Sequence, residues 1–129
     1  MKKKIVKYTL ITVGLLFFIT AALIFRPVPI VPEDRAIVKR GVVSDIYSNQ
    51  GNDIVFLLEG DQRRFYINRG LENGLELADL KNRLIGNPVV IKYPKYWTPL
   101  DWDNRIRHLS KLEYDGEIIF NELYPAYRN

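Results

Sequence analysis

Residues 8–25, YTLITVGLLFFITAALIF, form a run of eighteen without a charge. As a helix rising about 1.5 Å per residue, that run spans roughly 27 Å, close to the hydrocarbon thickness of a bilayer. Ile5 and Val6 extend it, with Lys7 between them and the run free to snorkel toward the headgroups. The sequence therefore predicts a membrane helix within residues 1–26. Lys2, Lys3, Lys4 and Lys7 precede or open it, whereas Arg26, Glu33, Asp34 and Arg35 offset one another after it. The positive-inside rule then puts the amino terminus in the cytoplasm and the remainder outside, as a single-pass signal anchor of the cytoplasmic (inner) membrane. A cleaved secretory signal shares the basic start and apolar run. Its core is usually only about 7 to 15 residues long, and here Thr20, Ala21 and Ala22 lead into more apolar residues rather than a polar stretch.

The formal charge of +4 invites a polyanion-binding reading until it is located. Residues 36–129 hold thirteen Lys and Arg against thirteen Asp and Glu, so the excess sits on the N-terminal lysines. An extracytoplasmic domain of balanced charge argues against a single-stranded nucleic-acid binder, which needs a positive groove. With no Cys, disulfides and thiolate chemistry are excluded, and the domain must rely on its core.

After the helix, residues 27–35 carry Pro27, Pro29 and Pro32, which predicts an extended, semi-rigid spacer holding the domain a short way off the membrane. The rest reads as strands. Residues 36–48 alternate, with Val42 and Ile46 on one face and Gly41 marking a bend or bulge. SNQGN is turn chemistry, and residues 53–60, DIVFLLEG, predict a strand buried on both sides. It forms a hairpin with RRFYINR. Leu77, Leu80 and Leu84 recur at helical spacing, with Gly86 as C-cap and Pro88 as stop. NPVVIKYP is a further strand. RIRHLSKLEY and EIIFNEL, joined by Asp115 and Gly116, make a closing hairpin.

Three strands, a short helix, then the remaining strands is an order that resembles the OB-fold, a small Greek-key barrel, here with five to six strands and its helix between the third and fourth. On that reading RGLENGL is the corner that turns a barrel strand into a plugging helix. YINRGLENGL and GEIIFNEL are also similar to segments of small uncharacterised bacterial single-pass membrane proteins with an exported domain of this kind. That resemblance covers most of residues 36–129 and implies no activity.

Catalytic constellations are scarce. The one His, His108, lies in a predicted strand, and zinc would need more nitrogen or sulfur ligands than one His supplies. Asp101 and Asp103 flank Trp102 without the further ligands of a calcium loop, so no metal or cofactor is implied. Asp45, Arg64 and Arg69 do not reproduce the site of OB-fold nucleases of the staphylococcal type. The most informative stretch is residues 93–108, which gathers Tyr93, Tyr96, Trp97 and Trp102 beside Lys95, Arg105 and Arg107. Aromatic and arginine side chains stack on sugars or bases and anchor protein interfaces, and the loop between the fourth and fifth strands of an OB-fold contacts ligands. The plainer alternative is that the tryptophans fold over the barrel mouth as a lid. Tyr66, Asn68 and Arg69 form a second polar patch; otherwise Tyr66 and Asn68 simply face outward and Arg69 pairs with Glu72 or Glu76. The function expected is a membrane-anchored, non-catalytic binding or assembly module that engages a protein partner or envelope polymer through the 93–108 loop. The alternative is an envelope hydrolase using His108 with Asp101 or Asp103.

Overall fold

The computed structural model describes residues 1–125; residues 126–129, the end of the expected domain, lie outside the described residues. Helix α1, Lys2–Ile24, is long and apolar enough to cross a membrane, and none of its side chains is buried against the rest of the chain. Its threonines are satisfied internally: the Thr9, Thr12 and Thr20 hydroxyls donate to the carbonyls of Ile5, Tyr8 and Leu16. That arrangement suits a helix whose surroundings offer no water.

The spacer is tied along the edge of the domain. Glu33 N–H donates to the Tyr124 carbonyl (3.0 Å) and Tyr124 N–H to that of Val31 (3.2 Å). The Glu33 carboxylate accepts from Lys92 (2.7 Å) and Lys111. These two ammonium groups, Lys111 foremost, hold the Glu33 carboxyl at about 2, below its ordinary 4.5.

Among the described residues the domain is one mixed sheet of seven strands in the order β5-β3-β2-β1-β4-β6-β7. The strands are β1 (Ile37–Ser48), β2 (Ile54–Leu58), β3 (Arg64–Ile67), β4 (Pro88–Tyr93), β5 (Ile106–His108), β6 (Lys111–Tyr114) and β7 (Glu117–Asn121). Because the order has two ends, the sheet is open where a closed barrel of five to six strands was expected. The extra strand comes from the predicted run RIRHLSKLEY, which changes neighbours midway. Leu109 N–H donates to Tyr66 of β3 (2.7 Å) and Ser110 N–H to Lys92 of β4 (2.8 Å). Residues before this switch pair parallel to β3, and those after it antiparallel to β4.

β1 also serves two partners: residues 37–42 pair with β4, and residues 43–48 with β2. The irregularity falls between Val43 and Asp45, two residues beyond the expected Gly41. It resets the alternation, so Val43 and Ile46, three apart, are both fully buried while Val42 is only partly so. Gly41 has its own constraint, since a Cβ there would lie 3.0 Å from Leu58 Cδ1.

The predicted helix forms as α2, Leu77–Leu84, packed on β1 with Leu80 and Leu84 buried. Gly86 just beyond it has φ 82, and its N–H reaches the Val43 carbonyl (2.8 Å). β2 is buried on both faces apart from partly exposed Leu57, and it forms the expected hairpin with β3. Asp115 (φ 50) and Gly116 (φ 76) are both left-handed, as the two-residue turn between β6 and β7 requires.

Candidate functional site

Strand alternation sends Phe56, Phe65 and Ile67 into the core and their neighbours to the opposite face. On that opposite face the registers place Tyr47 beside Val55, Val55 beside Tyr66, and Tyr66 beside His108, one row across β1, β2, β3 and β5. A cleft follows the Tyr47–Val55–Tyr66 part of this row, rimmed by Asn49, Asp53, Arg64, Asn68 and Ile106. Tyr66 and Asn68 also line a second cleft, whose far wall is the end of α1 and the spacer, with Tyr96, Thr98, His108 and Glu122. The two clefts therefore meet over Tyr66.

The rim is held rigidly at the β1–β2 turn. Asn49 Oδ1 accepts from the backbone N–H groups of Gly51 (2.9 Å) and Asp53 (3.1 Å), and Asn49 Nδ2 donates to the Asp53 carboxylate. Asp53 Oδ1 in turn accepts from Arg69 N–H (2.8 Å), fixing a residue with φ 50. The Arg69 side chain points to solvent and pairs with Glu72 at 3.7 Å, so it stands apart from the cleft.

At the centre, the Tyr66 ring meets His108 edge-on, centroids 5.3 Å apart, and burial raises the Tyr66 phenol above its ordinary pKa. His108 Nε2 contacts the Glu122 carboxylate, and its buried Nδ1 has no partner among the described residues. The Thr98 hydroxyl, at the other wall, is likewise buried and unpaired among the described residues. Asp101 and Asp103, the partners expected for His108, are engaged elsewhere. Asp101 accepts the N–H groups of Arg105 (2.9 Å) and Ile106 (3.1 Å), and Asp103 pairs with the Arg105 guanidinium at 2.7 Å. Sequence reasoning missed Glu122, which lies past the last strand; Glu122 N–H donates to the Ser110 carbonyl (2.9 Å), and this long-range bond brings it beside His108.

The 93–108 residues divide three ways. Tyr93 belongs to the core: β4 alternation turns it inward with Val89 and Ile91, its ring lies 5.7 Å from that of Phe65, and its hydroxyl accepts from Arg63 (2.9 Å). Tyr96 and Arg107 brace the loop. The Tyr96 hydroxyl donates to the Arg26 carbonyl (2.7 Å), and Arg107 Nη1 donates to the Tyr96 carbonyl (2.7 Å). Trp97 is partly buried and donates its indole N–H to the Trp102 carbonyl (3.4 Å), while Trp102 is 77% exposed. The Trp102 ring packs edge-to-face on Trp97, centroids 5.7 Å apart. Among the described residues, no group of three or more His, Asp or Glu is arranged to hold a metal ion.

No protein-family model, curated protein or solved structure matches the chain.

Proposed function

We propose that the chain is a single-pass, membrane-anchored binding or assembly module, with its amino terminus in the cytoplasm and its β domain at the outer face of the cytoplasmic membrane. Its recognition surface is the double cleft over Tyr66, bounded by the 93–108 loop, and its ligand is an envelope polymer or a segment of a protein partner. The carrying observation is the row Tyr47–Val55–Tyr66–His108, apolar and aromatic along its floor, with amide, carboxylate and guanidinium groups at the rim. Such a surface stacks flat rings and hydrogen-bonds their substituents, which favours the polymer. An OB-like relation supports the same reading. The helix lies between β3 and β4, β3 pairs parallel to β5, and residues 109–110 tie β3 to β4. In OB-folds the face of strands 2 and 3, with the adjoining loops, binds oligonucleotides and oligosaccharides.

Co-sedimentation of the detergent-solubilised full-length protein with purified envelope polysaccharide tests this. Tyr66→Ala abolishes sedimentation and Trp102→Ala retains it, with circular dichroism showing both folded. Unchanged sedimentation of folded Tyr66→Ala removes the cleft as the binding surface. Hydrolysis is the second reading, favoured by the His108–Glu122 pair within the cleft; polymer shortening that His108→Ala abolishes would establish it.

A further inference from the structure

Along the α1 side of the second cleft, the connection between β4 and β5 leaves two large apolar side chains exposed. Leu100 is 73% exposed and Trp102 77%, although both belong to a well-braced turn. Their location explains why. The turn at Pro99–Asp101 packs against α1, and Leu100 lines the outer end of the second cleft together with Ile24, the last residue of the helix. Arg26 locks the arrangement, donating to the Trp97 carbonyl (3.1 Å) while its guanidinium lies 4.8 Å from the Tyr96 ring centroid. The Tyr96 hydroxyl returns a bond to the Arg26 carbonyl. Whatever depth the end of α1 occupies, the connection occupies it too.

In α1 that end is the border between the uncharged run and Arg26, with Phe25 beside it 84% exposed. At the corresponding depth of a bilayer, headgroups meet acyl chains, and this is where tryptophan is enriched, its ring apolar and its N–H polar. Exposed Lys95 on the same connection adds a cation facing anionic headgroups. We infer that the 95–102 surface is a membrane seat: Leu100 and Trp102 enter the headgroup–acyl boundary of the leaflet from which α1 emerges, and so orient the β domain on it. The inference rests on α1 being an uncleaved transmembrane anchor. It commits to lipid, because a surface fixed to the end of a spanning helix meets lipid before any soluble partner.

The two tryptophans, Trp97 and Trp102, are the only ones in the chain, so intrinsic fluorescence reports on this connection alone. The full-length protein and its Trp97→Phe variant, which leaves Trp102 as sole reporter, are reconstituted into phosphatidylcholine–phosphatidylglycerol vesicles. The expected result is blue-shifted Trp102 emission, quenched severalfold more by lipids brominated near the headgroup end of their acyl chains than by aqueous iodide. The wild-type protein, with Trp97 in place, shows the same preference. Alkaline carbonate extraction followed by flotation separates the two ideas. If the protein stays with the vesicles but iodide quenches Trp102 and brominated lipid does not, the seat is refuted and the anchor stands. Release into the supernatant overturns both.

Discussion

Two irregular corners of the domain treat their apolar side chains in opposite ways. The corner after β3, residues 68–84, buries most of them: Gly70 lies against Ile54, Leu80 and Leu84 enter the core, and Leu71 is left at the surface, with Arg83 outside beside Asp79 and Glu117. The connection after β4, residues 94–105, is held by polar side chains and leaves its large apolar ones exposed. The Asp101 carboxylate and the Arg107 guanidinium hold its backbone and the Tyr96 hydroxyl ties it to the Arg26 carbonyl, while Leu100 and Trp102 face out. A helix can satisfy its own backbone and therefore offer its apolar stripe to the core. A loop without regular structure needs side chains to satisfy its backbone, and here Asp101 and Arg107 do so.

The largest effect expected from this contrast is at Leu84, which is fully buried. Leu84→Ala should cost about 3 kcal/mol, the middle of the range for buried leucines, in denaturant unfolding of the detergent-solubilised protein. Leu100→Ala, in the other corner, should leave the midpoint nearly unmoved. Equal losses at both positions would erase the distinction. Next comes Gly70, where an added Cβ would lie 2.8 Å from Ile54 Cγ1 and Cδ1. Gly70→Ala should cost about 2 kcal/mol through overpacking. Shortening Ile54 to Val should recover part of that loss, so the two changes combine non-additively. Strict additivity would mean the corner yields instead of colliding.

A smaller effect is expected at the tie that keeps the spacer, and with it Arg26, alongside the second corner. The Glu33 pKa is depressed, so its contribution is present above the unfolded value of 4.5 and is lost as pH falls toward about 2. Solvent screening limits it to about 1 kcal/mol for this partly exposed carboxylate. Asp61, held at about 2 by Arg63, loses its contribution over a similar acid range. The measurement is therefore the difference between wild type and Glu33→Gln, expected at about 1 kcal/mol near neutrality and vanishing near pH 2. A difference that persists undiminished at that pH would assign the loss to packing and not to charge.

The corners also differ in how far they could be read from the sequence. Leu77, Leu80 and Leu84 announce α2 by spacing, and Asp115-Gly116 announces its turn, because both signals are local. The sequence points to Gly41 for the β1 irregularity, whereas it falls between Val43 and Asp45, since either phase satisfies the apolar pattern and only the pairing with β2 chooses. Tyr93 was grouped with the loop although β4 alternation carries it into the core. The His108–Glu122 contact and the change of partner at Leu109 depend on strands distant in sequence, which no local pattern encodes. The Tyr47–Val55–Tyr66–His108 row is invisible until the register is known.

The smallest expected effect separates the two meanings that the 93–108 aromatics allowed. Trp102 is 77% exposed, and its ring contact is with Trp97, centroids 5.7 Å apart at 68°. Trp102→Ala should therefore cost about 0.5 kcal/mol, the scale of one edge-to-face pair with little burial behind it. A tryptophan closing the core would cost about 3 to 5 kcal/mol on truncation to alanine. The measurement is made in detergent, then repeated in vesicles by hydrogen exchange of the 94–105 amides. In detergent the variant should match wild type closely. In vesicles its connection should exchange faster, because the ring that holds it against the lipid is gone. A large loss in detergent would make Trp102 a core residue after all, and the outward character of the second corner would be lost with it.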